Sequence, residues 1–306
     1  MISVITPYFN PKNSDIRRNL YENFKCHMKE YGVKLYTIEI SYDGNFQVTN
    51  KKDKFHIQVE SKDIMWHKEN MINVVIEKLP KKTKYVAWFD NDIEFTDQNW
   101  LTNSLVKLET SSCVLQPYSI SNWLDENGNY ERSSLSYSFE NKHVYEPMQP
   151  SVELFRFNQH VKKMSQTFMS SPGLAWISSM DFMKSIGGMF MPVFFRSGDL
   201  IMANAFYNKP FPSFYIIEGL KNEYDNYQTK IRKYMKKTNK FPSYVEGQLI
   251  HHYHGPVAQR KNFDHFQLLK QYNINPNNAV QKNKCGIYEF TDDISEDFKS
   301  KLSSMI

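Results

Sequence analysis

Two acids separated by one residue, Asp90 and Asp92 in YVAWFDNDIEF, stand directly after an apolar run. Side chains two apart on an extended chain share a face, so both carboxylates can converge on one point, where unpaired they repel each other. A divalent cation removes that repulsion; two acids on a surface turn, each bonded to nearby amides, are the alternative. SGDLIMANA puts Asp199 at the start of a helix-like segment, where the positive helix end favours an ionised carboxylate and a plain N-cap is the simpler reading. HHYHG offers His251, His252 and His254. Strand alternation sends His252 and His254 to one face and His251 to the other, and a packed or surface site competes with a metal site. The basic run from Lys230 to Lys240 reads as a solvated helix face or as a phosphate clamp.

Carboxylate and imidazole chemistry joins these features. Mg²⁺ and Mn²⁺ prefer oxygen ligands, Mn²⁺ also accepts an imidazole, and both bridge protein carboxylates and a diphosphate. Asp90, Asp92 and one histidine suit such an ion. His254 is the choice, because Gly255 permits close approach and Pro256 stops the strand. A cation so held offsets the charge on a departing nucleoside diphosphate, and the separate carboxylate of Asp199 can take the proton of an attacking hydroxyl.

The elements that must position these groups alternate as α/β folds do. ISVIT reads as a strand, Ser14 to Tyr31 as a helix, VKLYTIEIS as a strand and Trp66 to Leu79 as a helix before KYVAWFD. Tyr85 to Phe89 is apolar throughout, as in a strand covered on both faces. Pro7, Pro11, Asp43 and Gly44 end the first two strands, so loops gather at the carboxyl ends, where open α/β sheets bind ligands. From Ser119 to Ser171 the periodicity weakens, which predicts a long insertion with local strands, a lid or an acceptor-binding flap. GLAWISSMDFMKSIGG restores a strand and a short helix ended by Gly187 and Gly188. SFYIIEG, a basic helix-like NEYDNYQTKIRKYMKKTNK, VEGQLIHHYHGP and a tail helix from Arg260 to Tyr272 follow. No linker is evident, so one continuous domain over 1–306 is expected.

With 306 residues, 41% hydrophobic and 15% aromatic, the chain can bury a substantial core. A formal charge of +5 is too diluted for a dedicated nucleic-acid binder and compatible with anionic small ligands such as nucleotides. Cys26, Cys113 and Cys285 are odd in number and lack C-x-x-C spacing, which indicates neither a disulfide framework nor a cysteine zinc site and points to a reducing compartment. MISVITPYFNP lacks the basic start and long apolar core of a signal peptide, and no stretch approaches ~18 apolar residues. A soluble cytoplasmic protein without a transmembrane segment is expected, with a virus-encoded source left open.

In content and order these motifs resemble the nucleotide-sugar-dependent glycosyltransferases of the GT-A fold, of the D-x-D, family-2-like type. TPYFNP is similar to the end of the first strand, where the nucleoside enters. WHKENMINVVIEKLP, YVAWFDNDIEF and NWLTNSLVKLE resemble the helix, D-x-D strand and following helix. GLAWISSMDFMKSIGGM resembles the acceptor-side strand and helix, SGDLIMANA the segment with the catalytic acid, and VEGQLIHHYHGP with the Arg260 region the metal-histidine segment. ISEDFKSKLSSMI stands outside the resemblance. Asn91 occupies a position between the acids where a small residue is common, and Arg196-Ser197 precede Gly198 in place of small residues.

The resemblance implies a Rossmann-like, mostly parallel α/β sheet flanked by helices, with an insertion and a C-terminal helical extension. Residues 1–118 would form the nucleotide-sugar half, 119–258 the acceptor and catalytic half, and 259–306 the extension. It implies a metal-dependent enzyme of glycan biosynthesis that moves a sugar from a nucleoside diphosphate, UDP favoured, to a glycan or other acceptor hydroxyl; a carboxylate base opposite a metal-held leaving group fits in-line displacement and so inversion, while retaining enzymes share the fold, and the dilute charge leaves no nucleic-acid partner expected. It places Asp90 on the ribose or metal, Asp92 and His254 on Mn²⁺ or Mg²⁺, Asp199 as the base and Asp43 on the nucleobase. Thr6, Pro7 and Asn91 would line the donor site. Tyr8 at a strand end can stack on a nucleobase or pack within its loop. Trp66, Asn70 and Asn73 share a helix face at i, i+4 and i+7, from which Asn73 can reach a ribose, and Lys68 can face a phosphate. Two other readings stay open: a sugar nucleotidyltransferase, against which the lack of a G-x-G-x-x loop after the first strand counts, and a catalytically silent sugar-binding or virion-associated protein with the same fold.

Overall fold

Seven of the apolar runs pair into one sheet in the computed structural model, which describes residues 2–145, 170–212, 219–255 and 264–306. The strands are β1 (Ile2–Tyr8), β2 (Lys34–Ser41), β3 (His56–Glu60), β4 (Tyr85–Phe89), β6 (Ser112–Gln116), β9 (Ala175–Ser179) and β10 (Phe241–Tyr244). They lie in the order β10-β6-β9-β4-β1-β2-β3, and all run parallel except β9, which is antiparallel to both β4 and β6. The mostly parallel sheet expected from the alternating pattern is therefore observed. Most of YEPMQP and of SFYIIEG, and the start of the tail helix at Arg260, lie outside the described residues.

Alternation along the central strands sends apolar side chains to both faces of the sheet. Ile5, Ile38, Val86, Trp88, Val114 and Trp176 belong to one core, while their neighbours Val4, Ala87, Phe89, Leu115 and Ile177 belong to a second. A strand buried on both faces has no solvent side to mark with a polar period, as in parallel sheets generally. Helices α1 (Asp15–Glu30) and α3 (Trp100–Thr110) cover the second face through Phe24, Met28, Trp100 and Leu108. The first face is covered by α2 (Lys68–Lys78) through Met71, Ile72 and Val75.

A short helix, α4 (Tyr137–Glu140), starts at the Ser136 cap. Next come α5 (Met180–Ile186), α6 (Gly198–Phe206) and α7 (Leu220–Thr238), which join the α2 side with Phe182, Ile201 and Ile231. The hydroxyl of Ser179 caps α5 by accepting from Phe182 N, and Gly187 ends that helix at φ 90°, the left-handed position expected from the Gly187-Gly188 pair.

A second, four-stranded sheet lies beyond the end of β4. Its strands are β5 (Ile93–Phe95), β7 (Ile120–Leu124), β8 (Tyr130–Leu135) and β11 (Gln248–His251), in the order β5-β11-β7-β8. β7 and β8 are the local strands expected in the weakly periodic stretch. After α8 (Asp264–Gln271) the chain forms α9 (Pro276–Ala279), a hairpin of β12 (Val280–Lys282) and β13 (Tyr288–Phe290), and α10 (Glu296–Ser304). Asn70 of α2 fastens the hairpin, donating to Gly286 O at 3.0 Å and accepting from Tyr288 N at 2.8 Å. No helix among the described residues is long and apolar enough to cross a membrane.

Candidate active site

The end of β4 is where the candidate residues meet. Phe89 is the last strand residue, and the backbone then turns through Asp90, Asn91 and Asp92 into β5. Asp90 N donates to Leu174 O at 2.8 Å, and the Asn91 side-chain amide donates to Pro7 O at 3.0 Å, which ties the turn to the end of β1. Thr6 reinforces the same junction by donating its hydroxyl to Phe89 O at 3.0 Å. Because extended geometry stops at Phe89, the two acids do not share a single partner.

Asp90 turns to a lysine. Lys68, at the start of α2 and 7% exposed, places Nζ 2.6 Å from Asp90 Oδ1 and 3.2 Å from Asp199 Oδ2. Burial pushes the Asp90 carboxyl up to about 6, the charges of Asp92 and Asp199 add to that, and Lys68 opposes it. The same two carboxylates raise the Lys68 ammonium above its ordinary value against the opposing effect of burial, so it stays charged. Asp199 lies in the first turn of α6 but caps nothing; the cap position is Ser197, at φ 86° and without a side-chain cap bond. A serine in the left-handed region is strained, and it sits one residue from Gly198, where α6 meets α2.

Asp92 turns to histidines that lie far along the chain. β11 pairs antiparallel with β5 so that His251 lies opposite Ile93, and the ladder continues one step as His252 N donates to Asp92 O at 2.8 Å. His254 Nε2 comes 3.2 Å from Asp92 Oδ2 and His251 Nε2 3.8 Å from Asp92 Oδ1. One ligand atom from each of the three residues lies within 4.8 Å of the others. His252 faces Glu94 instead, at 3.3 Å. The alternation expected across HHYHG fails because the strand ends at His251, and the period of two ends with it. Trp123 backs the cluster, its ring stacked on that of His251 at 3.7 Å between centroids, and Arg132 lies over the indole at 4.1 Å. A carboxylate and two imidazoles form a donor set that suits Mn²⁺ and other first-row divalent ions.

Other expected contacts lie elsewhere or are committed to the fold. Tyr8 is 2% exposed, packed edge-on against Tyr21, and its hydroxyl donates to Gln47 at 3.0 Å, so its ring belongs to the protein interior. Asp43 is exposed at the carboxyl end of β2, its carboxylate held below its ordinary range by the Asn45 amides and the Ser41 hydroxyl. Its loop is anchored by Glu39, whose buried carboxylate accepts from the backbone of Val48 at 3.1 Å and Thr49 at 2.8 Å. Asn73 is turned away from Asp90. It exchanges two hydrogen bonds with the Met189 backbone beside a separate cavity of about 350 Å³ between α2, α5 and α7. Lys240 of the basic run donates to the last carbonyls of α3, Leu108 O at 2.6 Å and Glu109 O at 2.8 Å. His251, expected on the face opposite His254, instead joins it at Asp92, while Trp123, Glu39 and Glu69 carried no signal in the sequence.

No family model and no curated protein matches the chain. Among solved structures it is similar to the catalytic domain of Drosophila β1,4-galactosyltransferase 7 in complex with xylobiose, at 11% identity and TM-score 0.39, over 79% of this chain and 63% of that one. A complex of a mutant of the same enzyme with manganese, UDP-Gal and xylobiose aligns at 12% identity and TM-score 0.42, over 85% and 73%. Residues 1–349 of S. aureus TarS in complex with UDP-GlcNAc align at 11% identity and TM-score 0.46, over 99% and 71%. This chain therefore spans less than two thirds of the first of these.

Proposed function

We propose that this chain is a metal-dependent glycosyltransferase of the GT-A type, which moves a sugar from a nucleoside diphosphate to an acceptor hydroxyl with inversion. The observation that carries the reading is the meeting, at the carboxyl end of β4, of the Asp92-His251-His254 cluster with the Asp90 and Asp199 carboxylates bridged by Lys68. Asp90 feels the charge of both Asp92 and Asp199, so the two groups form one electrostatic site.

Asp92, His254 and His251 would hold Mn²⁺ or Mg²⁺, which when bound offsets the charge of the departing diphosphate. Asp199 receives the proton of the acceptor hydroxyl as its oxygen bonds to the anomeric carbon and the bond to the diphosphate breaks. Lys68 holds Asp90 and Asp199 in place. Asp90, with Asn91, faces the ribose side of the donor, the buried Thr6 and Pro7 hold that junction from behind, and Asp43 on its exposed loop faces the base. A UDP-sugar is the favoured donor and a glycan hydroxyl the favoured acceptor. A cytoplasmic setting fits the three free cysteines.

The test is a thermal-shift panel of UDP-, GDP- and dTDP-sugars with and without Mn²⁺, because a ligand bound only by the folded state raises the Tm with occupancy. One sugar nucleotide is expected to stabilise the protein in a Mn²⁺-dependent way and to release its diphosphate. No shift and no release with any donor would overturn the reading.

A further inference from the structure

Glu69 follows Lys68 in α2, is 2% exposed, and has no hydrogen-bond partner for either carboxyl oxygen among the described residues. Its surroundings are Ile72, Trp88, Trp176, Met202 and Phe206 together with Lys68 and Asp199. The space left among them is about 10 Å³, at the lower limit for one water. An ionised carboxylate there would be set against apolar side chains, and the neighbouring Lys68 charge and its own backbone N–H offset that burial only in part.

Two glycines give this acid and Asp199 their places. A Cβ at Gly198 would lie 2.2 Å from Glu69 Oε1, and one at Gly173 would lie 2.2 Å from Asp199 Oδ2. Both carboxyl groups thus press against backbone that carries no side chain, and they face each other at the start of α6. Two adjacent carboxylates repel, whereas one proton between them gives a strong O–H···O⁻ hydrogen bond. Lys68 decides where the proton resides, because its two ion pairs go to Asp90 and Asp199 and favour charge on those two. The other titratable groups facing the pair are Asp90, behind Lys68, and Tyr118, whose hydroxyl donates to Gly173 O at 3.1 Å. Burial first, and then the charge of Asp199, pushes the Glu69 carboxyl up to about 8.

We propose that Glu69 is a positioning residue that carries a proton, donates it in a hydrogen bond to Asp199, and thereby holds the base in place without adding a charge to the site. The positioning role rests on the reading of Asp199 as the base; the shared proton does not.

Stability against pH tests the proton. A carboxyl raised on folding contributes stability that is complete below its unfolded value of about 4.5 and is lost as pH rises through about 8. Glu69→Gln cannot ionise yet keeps an N–H donor. The Tm of the wild-type chain is expected to fall relative to Glu69→Gln between pH 5 and pH 8.5; a Tm difference that stays constant over that range overturns the shared proton. Turnover tests the positioning. Glu69→Gln is expected to keep most of kcat at pH 7 and to lose the alkaline change in the wild-type pH profile, while Glu69→Leu loses about 10-fold or more in kcat with donor KM unchanged. Equal losses in the two variants overturn the positioning role. If the wild type transfers and hydrolyses no sugar nucleotide, the glycosyltransferase reading fails while the Tm comparison still decides the proton.

Discussion

Lys68 is the side chain on which the acidic half of the site depends. It is nearly buried and neutralises two carboxylates, so Lys68→Met leaves Asp90 and Asp199 without their cation. A broken buried ion pair costs about 3–5 kcal/mol, and the urea midpoint is expected to fall accordingly. Asp92 carries the other half. Calorimetry should show Asp92→Ala and His254→Ala losing Mn²⁺ affinity by more than the about 10-fold that an outer-shell change costs, with His251→Ala also weakened and His252→Ala like the wild type. Wild-type affinity in His254→Ala would remove that residue from the metal site. Asp199→Asn preserves shape and hydrogen bonding but cannot accept a proton, so turnover should fall about 10²-fold or more with donor affinity retained. The residue types for this chemistry were readable in the chain. His254 was chosen and does lie against Asp92, but the part of His251 was not readable, because it depends on where β11 stops.

At the scale of elements, the pairing of β5 with β11 assembles the Asp92-His251-His254 cluster. β11 is an inner strand, flanked by β5 and β7, and Ile250 lies opposite Glu94. Ile250→Pro removes a ladder donor from an inner strand, and Mn²⁺ affinity should collapse along with part of the stability, as seen by calorimetry and thermal melting. The basic run gives the opposite expectation. Lys240 satisfies orphan carbonyls at the end of α3, so Lys240→Met should cost about 0.3–1 kcal/mol in a denaturant melt and leave Mn²⁺ affinity unchanged. Most of the long helices and sheet strands were legible from their periodicity and end signals. β3, β5, β6, β10 and the β12–β13 hairpin were not: these strands are three to five residues long, and β5, β6 and β10 pair only with strands distant in sequence.

Across the whole molecule, the C-terminal segment that stood outside the family resemblance proves to be part of the core. Phe298 and Leu302 are fully buried, Phe298 packs on Phe290 and Tyr272, and Ile306 O accepts from Arg196, which also lies over the Trp66 ring. Phe298→Ala should therefore cost about 3–5 kcal/mol, measured by chemical denaturation. Two buried histidines, His67 and His265, contribute to the loss of stability in acid. Burial lowers His67 and His265 to about 4, so the stability they contribute is present above the unfolded value of about 6.5 and is lost as pH falls toward 4. Replacing both by Gln should flatten the decline in Tm between pH 6.5 and pH 4.

The sequence by itself determined the alternation of strands and helices, the loops at the carboxyl ends, and the presence of two acids after a doubly buried strand. Those features are local, because hydrophobic period, proline and glycine act within a few residues. The tertiary structure alone decided the partners. Lys68 reaches Asp199 across 131 positions of sequence, and Asp92 meets His251 and His254 only through the register of two short strands. Glu69 looks like any helical glutamate in the sequence, and what sets it apart is a buried carboxyl group with no hydrogen-bond partner among the described residues once α6 has packed against α2. Long-range pairing and desolvation leave no period in a chain, so they become visible only when the elements have closed on one another.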